Sequence, residues 1–476
     1  MLATESQLDP PPAVELPASA THVVTVQAPR DLWERISRGF AMPDLDDPER
    51  VAQWERWYAS RPDYLQRMVD RGSKYLFHIV EELERRELPL ELALLPFIES
   101  AFNPQAVSRA KAAGMWQFMP ATGRHFDLKQ NAFRDDRRDV LASTRAALDY
   151  LERLHRMFGD WHLALAAYNW GEGNVQRAMK RNQAAGLPAG YLDLRMPDET
   201  RHYVPKLQAV KNLVRAPDAY GVRLPVVGNH PFFDSVRIER DMDVALIARL
   251  AGVSEADFRT LNPAHHKPVI MAAGTPEILL PWDHAVQFAE RLKEWRGPTA
   301  SWTAWRVPRD MTAAQAAREL GWDEVQLRQI NRVPPRMKLK AGSTILVPRE
   351  GRLDRDVPEQ LADHGQILLA PEAPPVRTVR IKARSGDTLA SIARRHGVRV
   401  ADLAAWNGLK PNAPLRAGQV LHVQTRAPAK ATAAKASGAR SAKAAPRRDG
   451  PRTRAADAAR PSDKTSNRPT AHTAQR

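Results

Sequence analysis

Apolar residues in the first half of the chain recur at intervals of three and four, the period of a helix with one buried stripe. On that pattern Trp33–Phe40, Val51–Met68, Gly72–Arg85, Leu90–Ser100, Ser143–Phe158 and His162–Trp170 are helices, and residues 31–225 form one mostly α-helical domain. Beyond it the period shortens. Val236/Ile238, Trp305/Val307 and Val379/Ile381 alternate as strands do. Each is followed by two short helical patterns and a closing apolar run, and the punctuation repeats. Asp241 leads after 21 residues to Asn262, Asp310 at the same spacing to Asn331, and Asp387 one residue sooner to Asn407. Gly274, Gly342 and Gly418 follow, then Leu279-Leu280-Pro281, Leu346-Val347-Pro348 and Val420-Leu421-His422-Val423. Three βααβ modules are expected, at 233–283, 301–349 and 377–424, each of a size that folds alone only marginally. Residues 350–376, with Pro371, Pro374 and Pro375, read as a linker, residues 1–30 as a poorly ordered arm and 425–476 as a disordered tail. The expected fold class is multidomain α+β.

The 476 residues include no cysteine, which excludes disulfides, Cys-ligated metals and thiol catalysis. The net charge of +16 suggests nucleic acid until it is located. Residues 426–476 hold 13 basic and 3 acidic side chains, so the tail carries most of the excess. Nucleic acid is therefore not an expected partner, and no aromatic interleaving supports it. Loose attraction of the tail to anionic envelope polymers is the functional reading of that charge. No apolar run is long enough to cross a bilayer, and Met1 to Ala20 lacks the pattern of a secretion signal. That leaves either a cytosolic chain or one that begins after a removed leader.

The chemistry concentrates in four segments. Glu91 to Pro104 reads as a helix with Glu99 in its last turn, ended by Asn103-Pro104, with Leu95, Phe97, Ile98 and Phe102 nearby. Apolar surroundings and the negative end of the helix both disfavour a charged carboxyl, so Glu99 is expected to hold its proton unusually high, as a general acid requires. Gly114 to Pro120 is a glycine turn followed by alternating residues, with Gln117 and Met119 toward a groove and Trp116 and Phe118 buried. Ala167 to Gly173 sets Tyr168 and Asn169 where a helix runs out, and Glu199 to Pro205 adds Tyr203. Phenols and amides are what a sugar site uses.

These segments, in this order, resemble the lytic transglycosylases with a goose-type-lysozyme-like fold, of the membrane-bound lytic murein transglycosylase D type, and the repeats resemble LysM modules. The likeness is strong over about residues 88–214; together the segments are specific, while any one alone is weak. The resemblance implies peptidoglycan as partner and cleavage of the β-1,4 bond between N-acetylmuramic acid and N-acetylglucosamine. It implies Glu99 as the sole catalytic carboxyl, a 1,6-anhydro product and no cofactor. Ser100, Gln117, Met119, Tyr168, Asn169 and Tyr203 are the implied substrate-binding residues. In the third module Gly386, Asp387, Thr388, Leu389, Asn407 and Gly408 are the implied glycan contacts. Trp170 departs from the small residue usual after Tyr-Asn. The family's lipid-anchoring cysteine is absent, so membrane attachment is not implied, but contact with peptidoglycan implies export, to the periplasm.

Two alternatives remain open at this stage, a hydrolase of the same bond and a non-catalytic peptidoglycan-binding scaffold. A hydrolase needs a water-activating carboxylate, for which Asp139, Glu172 and Glu199 are candidates; Asp139 reads better as a helix-entry or ion-pair residue. His162, His202, His265 and His266 lack metal-ligand spacing and no metal site is expected; His265-His266-Lys267 reads as a solvated loop.

Overall fold

The computed structural model describes residues 29, 31–372 and 376–426, so the expected N-terminal arm and basic tail lie, but for their edges, outside the described residues. The chain divides into two compact units, meeting at residues 372 and 373.

In the first unit the helical domain runs from Leu32–Arg38 to Tyr203–Arg215 around one continuous core. Prolines decide where its helices break. The run expected over Val51–Met68 is two helices, Pro48–Ala59 and Pro62–Gly72, because Pro62 has no N–H to continue the first and its fixed φ suits the start of the second. Leu90–Ser100 divides for the same reason. Leu90–Leu94 is a 3₁₀ turn, and Pro96 opens the α-helix Leu95–Ser100. Val140–Phe158 and Trp161–Trp170 pack as a hairpin through Gly159, and Asp160 caps the second helix with a 2.7 Å bond from Leu163 N. Tyr203–Arg215 packs on Pro48–Ala59, Trp161–Trp170 and Leu95–Ser100, which places Tyr203 beside the end of the helix bearing Glu99.

A buried ion pair anchors that arrangement. Lys211 Nζ lies 3.0 Å from Glu91 Oε1, with 3% and 1% of the side chains exposed. Glu91 also accepts from Ala41 N (3.0 Å) and Met42 N (2.9 Å), while Lys211 donates to Met42 O (3.0 Å) and Asp44 Oδ1 (2.8 Å). The charges are therefore hydrogen-bonded as well as paired, the condition under which burial is tolerated.

Two modules follow within the same unit. In the first, Phe233–Arg237 pairs antiparallel with Glu277–Pro281 around the helices Val244–Ala251 and Glu255–Leu261. A helix not expected from the repeat, Trp282–Glu294, is added after the closing strand and completes its core through Phe288. In the second, Trp302–Arg306 pairs with Thr344–Pro348 around Ala313–Leu320 and Glu324–Asn331. The repeated asparagines close these modules. Asn262 accepts from Leu279 N (2.8 Å) and donates to Leu279 O (2.7 Å); Asn331 does the same with Leu346 (2.7 and 2.8 Å).

The expected linker is folded up to residue 372. It contains the helix Glu359–His364 and the strand Leu369–Pro371, which pairs with Met337–Leu339 of the second module. Val357 and Ala362 share a core with Phe133 of the helical domain and with Met271 and Leu346 of the two modules. Asn131 Nδ2 donates to Ala362 O and Asp363 O (2.9 and 3.0 Å), and Ala132 N to Gly365 O (2.8 Å). Its prolines read as a spacer, but its spaced apolar residues are what bind it down.

The second unit holds the third module, with Val376–Lys382 paired antiparallel to Val420–Arg426 around Leu389–His396 and Val400–Trp406. Asn407 repeats the clamp on His422 N (2.7 Å) and His422 O (2.9 Å).

Candidate active site

Glu99 is the penultimate residue of its helix, as its sequence position implied, but the stop comes before Asn103. Ala101 and Phe102 both take positive φ (51° and 53°), an unfavourable choice for side-chain-bearing residues. Phe102 secures it: its ring is fully buried edge-to-face on Phe97 (4.6 Å), in a space left by the missing side chain of Gly72. The half-buried Glu99 carboxyl then meets Tyr203, whose hydroxyl donates to Oε1 at 2.5 Å. Burial pushes the Glu99 carboxyl up to about 7, with the Glu199 charge adding to it and the Tyr203 bond and Lys206 opposing. Tyr203 and Tyr168 are themselves held well above the usual phenol range, first by burial and then by the Glu99 charge, so both remain donors.

A pinned turn forms the second side. Ala113 pairs with Phe118 across it, Trp116 and Phe118 are buried, Gln117 is half-buried and Met119 exposed, the division expected of them. The cause is a tight turn rather than an extended strand: Gly114 has φ 85° and Gln117 φ 50°. A Cβ on Gly114 would lie 1.8 Å from Arg137 O, so backbone there approaches as closely as only glycine permits. Ser100 Oγ donates to Met115 O (2.9 Å), Tyr168 OH to Trp116 O (2.9 Å) and Trp116 Nε1 to Thr144 Oγ1 (3.1 Å). Gln117 Nε2 bonds back to Gly114 O (2.8 Å). Ser100 and Tyr168 are thus tied into the wall of the site. Asn169, the next residue, accepts from Thr200 Oγ1 at 2.8 Å; Thr200 lies within the same short segment as Tyr203 but carries no signal of its own in the sequence.

Two of the three candidate second carboxylates are otherwise engaged. Asp139 caps the helix Val140–Phe158 through Ala142 N (2.8 Å), the helix-entry role read from its position. Glu172 accepts from Tyr150 OH (2.8 Å) and pairs with Arg153 (2.8 Å). Burial raises its carboxyl, but its own backbone N–H, Tyr150 and Arg153 outweigh that and hold it below the usual range. Glu199 is exposed.

The expected solvated loop at His265-His266-Lys267 is instead a joint. His265 and Lys267 are buried, Lys267 Nζ donates to Ile330 O of the second module (2.7 Å), and the His266 ring bonds Ala132 O of the helical domain (3.0 Å). Polar residues with no apolar period gave no sign of it. The neighbouring loop pair of the first module is closed in the same way. Asp241 is fully buried and accepts from Ala272 N (3.0 Å) and Val357 N (2.8 Å), and Asn262, Pro263 and Ala264 are buried too.

The third module keeps its loops open. Gly386, Thr388 and Gly408 are exposed. Asp387 accepts from Arg384 N and Arg395 Nη2 (both 2.8 Å), which hold its carboxyl below the usual range. Thr388 caps its helix through Ser391 N (3.1 Å). The Leu389 side chain belongs to the module's core and the Asn407 amide is used by the clamp, so with Asp387 and Thr388 four of the six expected contacts have side chains engaged within the module.

A helical domain with a glutamate bonded by Tyr203 at the end of a short helix, followed by small two-stranded modules, is the architecture of a glycan-cleaving enzyme with binding modules. Residues 78–187 match the Transglycosylase SLT domain, 381–424 the LysM domain, and 232–296 the family described as "Lytic transglycosylase MltD, LysM-like domain". The chain is 34% identical over 389 residues to membrane-bound lytic murein transglycosylase D of Escherichia coli (strain K12), covering 79% of this chain and 82% of that protein. It therefore belongs to the membrane-bound lytic murein transglycosylase D family, and is a lytic transglycosylase. A shorter match, 51% identical over 120 residues, covers 25% of this chain and 58% of a putative tributyltin chloride resistance protein of Alteromonas sp. (strain M-1). The 70 kDa soluble lytic transglycosylase SLT70 of Escherichia coli overlaps 29% of this chain and 24% of its own, at 25% identity and a TM-score of 0.24. Among the described residues no helix is long and apolar enough to cross a membrane.

Proposed function

We propose that the protein cleaves the β-1,4 bond between N-acetylmuramic acid and N-acetylglucosamine in peptidoglycan, with Glu99 as its single general acid and base. The observation that carries this reading is the half-buried Glu99 carboxyl, bonded on Oε1 by Tyr203 and raised to about 7, which leaves Oε2 as the edge to carry a proton in the acid form. Glu99 gives that proton to the glycosidic oxygen as the bond to the muramic C1 breaks, and the acetamido oxygen of the same sugar closes on C1. The Glu99 carboxylate then takes the C6 hydroxyl proton while O6 displaces the acetamido oxygen. The product is a 1,6-anhydro end, no water is consumed and Glu99 is protonated again. Gln117, Met119, Tyr168 and Asn169 line the sugar site, and Ser100 fixes its wall. The engagement of Asp139 and Glu172 leaves Glu199 as the carboxylate a hydrolytic route would have to use, and Glu199→Gln should leave cleavage and its anhydro product unchanged. The open loops at Gly386, Asp387, Thr388 and Gly408, with the backbone of Leu389 and Asn407, hold the glycan and raise its local concentration at the cleavage site. The substrate places the protein in the periplasm, where the basic tail meets anionic envelope polymers.

Digestion of purified sacculi followed by mass spectrometry tests the reaction. Products lighter by one water than reducing muropeptides are expected, and Glu99→Gln should release none. Reducing ends from the wild type would replace this reading with hydrolysis, and full activity of Glu99→Gln would remove Glu99 from the mechanism.

A further inference from the structure

Two of the four site segments are joined by a single side-chain bond. Thr200 Oγ1 donates to Asn169 Oδ1 at 2.8 Å. Thr200 is buried, and its backbone is fixed by Tyr191, whose hydroxyl donates to Thr200 O at 2.7 Å. Asn169 is half-buried and directly follows Tyr168, whose phenol feels the Glu99 charge. Here Oδ1 is spent on Thr200, and Nδ2 has no hydrogen-bond partner among the described residues.

Resting on the reaction proposed above, we infer that Thr200 is a positioning residue: its hydroxyl anchors the Asn169 side chain at Oδ1, and Nδ2 is left for the sugar. The complementary ligand group is a carbonyl or hydroxyl oxygen, and the acetamido carbonyl of the reacting sugar is the one whose orientation matters, because that oxygen must close on C1. Without that anchor the Asn169 side chain swings, and the acetamido group loses the donor that turns its oxygen toward the anomeric carbon. Thr200 acts only through Asn169 and touches no reacting atom.

A double-mutant cycle on a soluble glycan oligomer tests this, scoring strand cleavage whatever its product. Thr200→Val should lower kcat by about fivefold to tenfold, the value of one neutral hydrogen bond, with KM nearly unchanged. Thr200→Ser keeps the hydroxyl and should restore the rate. In an Asn169→Ala background Thr200→Val should cost nothing more, since the group it orients is gone. Equal loss in both backgrounds, or wild-type kcat in Thr200→Val, overturns the inference. If Thr200→Val does not fold, Thr200→Ala takes its place in the cycle. Reducing ends from the wild type would sink the transglycosylase reading, while the cycle would still decide Thr200.

Discussion

The hydroxyl of Tyr203 lies 2.5 Å from Oε1 of Glu99 and opposes the effect of burial on that carboxyl. Burial raises the proton affinity of Glu99 and Tyr203 returns part of it, so the pair sets where the acid gives way to its base. Removing the phenol donor with Tyr203→Phe should move the basic limb of the kcat/KM pH profile upward and lower the rate by about tenfold. A profile unmoved on its basic side would show that another group titrates there.

The same shift has a consequence for stability. Glu99 is raised from 4.5 to about 7 in the folded protein, so folding favours its protonated form. Its contribution is present below the unfolded value and is lost as pH rises through 7. Glu99→Gln should therefore unfold at higher temperature than the wild type at pH 8, by an amount on the order of 2 kcal/mol, with the gain vanishing at pH 4. Melting curves at the two pH values measure it.

Gly114→Ala is expected to damage the site more than any exposed change nearby. The added carbon would meet Arg137 O at 1.8 Å from a backbone held at φ 85°, so the turn has to move. Loss of about 3 kcal/mol or more of stability is expected from strain and overpacking together, with loss of cleavage. Urea denaturation of the purified variant checks the first, and digestion of sacculi the second.

Breaking the pair of Lys211 and Glu91 on one side leaves a buried charge. Lys211→Met should cost about 3–5 kcal/mol, and Glu91→Leu combined with it should recover much of that loss. Additive losses in the double variant would mean that the two side chains act separately.

The first and third modules should answer differently to the same substitution. Asp241→Ala strands Ala272 N and Val357 N in the interior and should cost about 2–4 kcal/mol while leaving glycan binding unchanged. Asp387→Ala releases Arg384 N and Arg395 beside the exposed Gly386 and Thr388, and should weaken retention on insoluble peptidoglycan by loosening that loop. Co-sedimentation with sacculi separates the two; weakened binding by Asp241→Ala at a temperature where it remains folded would show that the first module's loops reach the glycan.

What could be read from the letters was whatever carries a period or sits next to its partner. The helix bearing Glu99, the division of Trp116 and Phe118 from Gln117 and Met119, and the three modules were visible on that ground. The break at Pro96 was overlooked, although a proline there cannot serve the carbonyl four residues back. The bond from Thr200 to Asn169, the pair of Glu91 and Lys211, and the docking of Lys267 on Ile330 join residues far apart in the chain. They leave no local trace. Residues 350–372 misled for another reason: prolines and charge dominate the composition, while a few apolar contacts decide the outcome.

The repeated asparagines were the most visible letters of the modules, and they prove to be latches. Asn262, Asn331 and Asn407 each lock the last strand with an identical pair of bonds. Each module is therefore fastened by one side chain, and replacing that asparagine alone should unzip the closing strand whatever residues the loops around it carry.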